Sequence, residues 1–180
     1  MIGNLISRFI YFRVIRWKLV GKFPDLNKFL IAVVPHTSNY DFVLGILIRS
    51  VLKEQINYVG KKELFTPLTA WFFRGLGGTP INRGKSENTV DAIVRIYNSH
   101  SKFRIAFAPE GTRKKVDEWK TGFYHIAHLA AVPIVPVAFD YAKKQIVMHP
   151  PFYTTGDIEK DFISLEKYFE GVVGKIPENA

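Results

Sequence analysis

Short apolar runs alternate with longer amphipathic segments along the chain. "FLIAVV", residues 29–34, is the longest clean apolar run, and Pro35 and His36 end it. A run of this length between turn residues predicts a buried strand. "RWKLVG", "INYVG", "TPIN", "FRIAFAP" and "VPIVPVAF" are weaker versions of the same signal. Between them lie segments of helical length and spacing: 40–52, 66–77, 86–100, 121–131 and 158–171. Thr66 before Pro67 predicts an N-cap and first helical residue, and Ser86 predicts the opening of the next helix. "KQIVMHPPFY", residues 144–153, predicts edge strands. Strands that alternate with helices predict an α/β fold: a single domain, a largely parallel sheet and helices flanking it. No repeat, low-complexity tract or linker interrupts the 180 residues, a length that suits one domain.

The first segment has a different pattern. Residues 2 to about 16 predict a helix that is apolar nearly all round, with Arg8, Arg13 and Arg16 scattered over it. One reading is a short interfacial helix on a membrane surface. Ile6, Phe9, Ile10 and Phe12 would then enter the lipid, while Arg13 and Arg16 reach the headgroups. The other is a helix packed on the domain. On the first reading, residues 1–16 form a membrane-surface helix and residues 17–180 the catalytic α/β domain. The arginines break every apolar stretch long enough for a signal peptide, and no run approaches the ~20 residues of a membrane span.

Composition narrows the partners. Twenty-five Lys and Arg against sixteen Asp and Glu give a formal charge of +9, which favours anionic ligands or an acidic lipid surface. The chain has no cysteine, so disulfides, thiolate metal sites and cysteine nucleophiles are excluded. Charge combined with fifteen Phe, eight Tyr and three Trp is also found in nucleic-acid binders.

Three stretches carry candidate chemistry. In "PHTSNYD", His36 follows a strand and Asp41 stands five residues later, in the first turn of a helix. A histidine is the natural base near neutral pH, and a carboxylate that fixes its tautomer makes it effective. Ser38 to Asp41 equally matches a helix capping box. In "FAPEGTRKK", a strand runs into Glu110, Gly111, Thr112 and Arg113. The glycine permits a tight turn whose amides face an anion, and the arginine can hold a phosphate bidentately. In "GGTPINRGKS", the spacing from Gly78 to Gly84 is one residue too long for a nucleotide P-loop, and Thr79 occupies the place of its first glycine. Nucleotide hydrolysis is excluded, and Arg83 after an extended piece is what remains. Sites in open α/β sheets form beyond the carboxyl ends of strands. His36, Glu110 and Lys61 all follow strand ends and are expected on one rim. His125 and His128, without a carboxylate partner motif, are packing or surface residues rather than metal ligands.

Four blocks in this order resemble the glycerolipid acyltransferases, the family that includes bacterial 1-acylglycerol-3-phosphate acyltransferases. They are His36-x4-Asp41, Gly77 to Arg83, Phe107-x-Pro-Glu-Gly-Thr-Arg113 and the Pro-containing apolar strand Val132–Val137. The resemblance spans about Trp17 to Phe139. It implies that His36 is a general base oriented by Asp41, and that an acceptor hydroxyl attacks the thioester of acyl carrier protein or acyl-CoA with no acyl-enzyme. It implies that Arg83, Glu110, Gly111, Thr112 and Arg113, helped by Lys61, bind the glycerol and phosphate of a lysophospholipid. It implies no cofactor, no metal and no nucleic acid. The implied location is the cytoplasmic face of the inner membrane, held peripherally at an anionic surface. Pro35 and Asn82 depart from residues frequent in the family, and the expected acceptors therefore include a lyso-aminolipid beside 1-acylglycerol-3-phosphate.

Overall fold

A computed structural model describes residues 2–61, 63, 65–81 and 89–179. Its helices are α1 (Ile2–Phe9), α2 (Asn39–Leu52), α3 (Ala70–Gly75), α4 (Thr89–Ser99), α5 (Gly122–Leu129) and α6 (Ile158–Glu166). Its strands are β1 (Lys18–Val20), β2 (Lys28–Val34), β3 (Asn57–Lys61), β4 (Gly78–Ile81), β5 (Phe103–Phe107), β6 (Ile134–Asp140) and β7 (Gln145–Met148). The strands form one sheet in the order β1-β7-β6-β2-β5-β3-β4. From β6 to β4 all neighbours are parallel. β7 runs antiparallel to β6, and β1 parallel to β7. The sheet is thus largely parallel and flanked by helices, as the alternation of apolar runs predicts.

β2 lies at the centre because it can be buried on both sides. Leu30 and Ala32 face a core built with Ile93 and Tyr97 of α4, Phe123 and Ile126 of α5 and Leu165 of α6. Phe29 and Ile31 face the opposite core with Leu44, Ile48 and Val51 of α2 and Val135, Val137 and Phe139 of β6. Side chains alternate across a strand, so one continuous apolar run serves both layers. In register, β2 pairs Ala32 with Phe107 of β5 and Val34 with Ala138 of β6. The carboxyl ends of three neighbouring strands therefore open onto the same rim.

Two expected features differ. β7 is not an edge strand. β1 pairs alongside it and takes the edge, while Ile146 and Met148 of β7 are buried. The helix expected to start at Thr66 is regular only from Ala70. The Thr66 carbonyl accepts from Thr69 N and Ala70 N, but its hydroxyl bonds Thr69 Oγ1 at 2.8 Å instead of capping a helix. Ser86 lies outside the described residues.

α1 continues into a π-helical turn, Ile10–Val14. Asn4 Nδ2 donates to the Ser50 and Val51 carbonyls of α2. Tyr11 is fully buried and donates from its hydroxyl to Lys18 O at 2.9 Å. One stripe of the segment is thus fastened to the domain. Leu5, Ile6, Phe9, Phe12 and Val14 stay exposed on it. Among the described residues no helix is long and apolar enough to cross a membrane.

Candidate active site

The rim beyond β2 is built around Asp41. Ser38 caps α2: its Oγ accepts from Tyr40 N at 3.2 Å, and its own N–H donates to Asp41 Oδ2 at 2.8 Å. Thr37 N donates to the same oxygen at 2.9 Å. The chain must double back to make these bonds, and this brings His36 Nδ1 to 3.1 Å from Asp41 Oδ2. The capping box and the His–Asp pair are one structure. The two uses expected of "HTSNYD" do not compete, because the cap's hydrogen bonds fold the loop that joins the pair.

Asp41 is 3% exposed. Burial pushes its carboxyl up, but hydrogen bonds from His36, Tyr141 and Ser38 outweigh that and hold it below the usual carboxylate range. Tyr141, just past β6, contributes the strongest of these in geometry, donating from its hydroxyl to Asp41 Oδ1 at 2.6 Å. Burial, then the bond and charge of Asp41, push the Tyr141 phenol well above its ordinary value, so it stays a donor. An ionised Asp41 bonded to Nδ1–H leaves Nε2 of His36 as the free base nitrogen. The His36 side chain keeps 27% exposure, enough to meet a ligand.

Glu110 enters from β5. Its carboxylate accepts the backbone N–H of His36 on both oxygens, at 3.1 and 3.0 Å. Burial pushes its carboxyl up, and the His36 amide and charge oppose that only in part. A cleft of about 170 Å³ adjoins it, walled by Pro35, Trp119, Phe169 and Val172 among others. Glu110 thus pins the histidine's backbone, a contact that the sequence does not suggest. Gly111 adopts φ +66, the left-handed turn expected of it.

A family model described as Acyltransferase matches residues 19–140. The chain belongs to the acyltransferase family. It is 30% identical over 123 residues to the 1-acyl-sn-glycerol-3-phosphate acyltransferase of Salmonella typhimurium, covering 64% of this chain and 49% of that protein. The enzyme of the same name from Haemophilus influenzae is 34% identical over 109 residues, 57% of this chain and 44% of that one. The yeast Saccharomyces cerevisiae enzyme is 30% identical over 129 residues, 67% and 41% of the two chains. The chain thus spans about half the length of the curated relatives it matches. A crystal structure of the 1-acyl-sn-glycerophosphate (LPA) acyltransferase from Thermotoga maritima has the same fold. Its TM-score is 0.63 at 18% identity, covering 92% of this chain and 74% of that one.

The acyltransferase-family match contains every block read from the sequence, and the structure sorts the residues. His36, Asp41 and Glu110 come together on one rim. Arg113 is exposed on the loop beyond Glu110, and half-buried Thr112 accepts Lys114 N on its Oγ1 at 3.4 Å. Lys61 ends β3, two strands from β2, with its side chain outside the described parts. Arg83 lies outside the described residues. Ile6, Phe9, Phe12, Arg13 and Arg16 are exposed, and Ile10 is half-buried.

Other residues here carry no motif. Tyr141 has one readable signal, its place after the strand beside β2. Lys120 lies against the bare Cα of Gly111, where an added Cβ would stand 2.9 Å from Nζ and 2.8 Å from Cε. Its amide donates to Pro109 O, which fixes one more cation beside the PEGTR loop. Leu68, Trp71 and Phe72 form a second exposed apolar group at α3. Trp71 Nε1–H already donates to Leu68 O at 2.9 Å, so the ring makes no polar demand outward. His128 bonds Thr154 and is a surface residue, as expected. Among the described residues no group of His, Asp and Glu is placed to hold a metal.

Proposed function

We propose that the chain transfers a fatty acyl group from a thioester of acyl carrier protein or CoA to the free hydroxyl of a lysophospholipid, 1-acylglycerol-3-phosphate first. The observation that carries this is the His36–Asp41 pair at 3.1 Å on a strand-end rim, with Glu110 clamping the His36 amide. His36 Nε2 takes the proton from the acceptor hydroxyl as its oxygen attacks the thioester carbonyl. The tetrahedral intermediate collapses, the C–S bond breaks, and the thiolate leaves with the proton carried by His36. An ester and a thiol result, and no acyl-enzyme forms. Asp41, held ionised, stabilises the imidazolium between the two steps. A base positioned in this way contributes about 10²–10⁴ in rate.

Arg83, Arg113 and Lys61, with Lys120 beside the loop, supply cations for the acceptor phosphate. Gly111 and Thr112 give that loop its shape. A +9 chain whose segment 2–16 exposes Arg8, Arg13 and Arg16 among apolar side chains suits an anionic bilayer, where the acceptor resides. We place the chain peripherally on the cytoplasmic face of such a membrane.

The test is acceptor-dependent thiol release from acyl-CoA and acyl carrier protein. With lysophosphatidate as acceptor, wild type releases thiol and His36→Ala falls by about 10²-fold or more. Release that survives His36→Ala removes the mechanism. Release only with a lyso-aminolipid replaces the acceptor and leaves the chemistry in place.

A further inference from the structure

We infer that the C-terminal segment 173–176 is a strap that sets the position of the His36 loop, with Gly174 as its positioning residue. This rests on the acyltransferase reading for its catalytic readout but not for its structural one.

The segment lies past residues 19–140, the part that matches the family model. Three of its residues hold supports of the His–Asp pair. The Val173 carbonyl accepts Tyr141 N at 2.9 Å, fixing the residue whose hydroxyl holds Asp41. Ile176 N donates to Thr37 Oγ1 at 3.2 Å, and Thr37 N in turn donates to Asp41. Lys175 Nζ sits over the rings of Tyr40 and Tyr141, at 5.3 and 5.7 Å.

Gly174 is buried where nothing larger fits. A Cβ built on it meets Thr37 Cγ2 at 2.7 Å, Thr37 Oγ1 at 2.8 Å and Pro35 Cγ at 3.2 Å. Thr37 and Pro35 are the two neighbours of His36. Gly174 is not among the glycines in the left-handed region, so it supplies space rather than conformation. Thr37 cannot yield by rotating. It is β-branched, and any staggered χ1 leaves a heavy atom at one of the two contacted positions. An added methyl must therefore move the loop itself, by several tenths of an ångström. Misplacement of a catalytic group by about 1 Å costs on the order of 10²-fold in rate.

The experiment compares wild type, Gly174→Ala, Thr37→Ala and the double variant in the thiol-release assay. Amide exchange of Thr37 and Ser38 is followed by NMR on the same full chains. Gly174→Ala is expected to lower kcat by roughly 10- to 100-fold, with KM for both substrates within about twofold. Exchange of the two amides on Asp41 speeds up at least tenfold while the thermal transition remains cooperative. Thr37→Ala removes both clashing atoms, so the double variant recovers most of the lost kcat relative to Thr37→Ala alone. That non-additivity marks direct contact, not general destabilisation. Wild-type kcat and unchanged exchange in Gly174→Ala overturn the inference, as does a loss that Thr37→Ala fails to relieve. If the Gly174→Ala chain does not fold, folding and recovery in the double variant decide instead, and failure there also overturns it. If wild type shows no turnover, the acyltransferase reading fails, and the exchange rates still judge the strap.

Discussion

Tyr141→Phe removes a single atom, the hydroxyl oxygen 2.6 Å from Asp41 Oδ1. The ring remains, with its edge contact to Trp17 at 4.9 Å. Asp41 is 3% exposed, so bulk water is poorly placed to replace the lost donor. A hydrogen bond to a charged group is worth about 1.5–3 kcal/mol, and a loss of roughly 2 kcal/mol is expected at pH 7. For a chain of this size that lowers Tm by about 4–8 °C. The pH dependence carries the sign. Asp41 is depressed in the folded state, so its contribution is present above the unfolded value of about 3.9 and is lost as pH falls through the folded value. The gap between wild type and Tyr141→Phe is therefore full at neutral pH. It shrinks below about pH 4 toward the ~1 kcal/mol of a bond between neutral groups. Urea unfolding at pH 7 and pH 3 measures both. An equal gap at the two pH values, or one below about 0.5 kcal/mol at pH 7, refutes the account of how Asp41 is kept ionised.

Two further outcomes follow from the same geometry. Glu110→Gln keeps an acceptor for the His36 amide but removes a buried charge whose carboxyl is raised by burial. Its urea midpoint should exceed wild type at pH 7, and the advantage should vanish below the unfolded glutamate value of about 4.3; no gain at pH 7 contradicts it. Phe9→Asp deletes an exposed apolar group, 63% accessible, on the segment that we place at the bilayer, and Leu68→Asp does the same at the exposed α3 group, 85% accessible, which we place there too. Each should weaken co-sedimentation with anionic vesicles by about tenfold or more, since burying one such side chain is worth about 1.5–3 kcal/mol, and added salt should weaken wild-type binding further. Unchanged sedimentation removes that face from the membrane reading.

What was legible in the sequence follows the range of each interaction. The strands and most helices are local patterns, and they stand where the apolar runs place them. The His36–Asp41 pair was legible because its partners are five residues apart and share a capping box. Glu110 was visible as a rim residue, but its grip on the His36 amide depends on β5 lying beside β2, which strand order alone decides. Tyr141 had only its place after a strand, and Gly174 no local signal. One acts through a hydroxyl, the other through the absence of a side chain, and both meet the loop across long stretches of chain. β7 was misplaced for the same reason. Its sequence is that of a short peripheral strand, and only the arrival of β1 from the other end of the chain covers it.

These separations also order events during synthesis. The His36–Asp41 turn closes over five residues and can form as soon as α2 does. Its supports come from partners 74, 100 and 139 residues away: Glu110, then Tyr141, then Ile176. Contacts of such separation must first overcome loop-closure entropy, so they form late. A chain emerging from the ribosome thus brings His36 and Asp41 together before it holds them still. Ile176 is the last of the three partners to emerge, so a nascent chain passes through a stage in which the turn is closed but its loop is not yet braced.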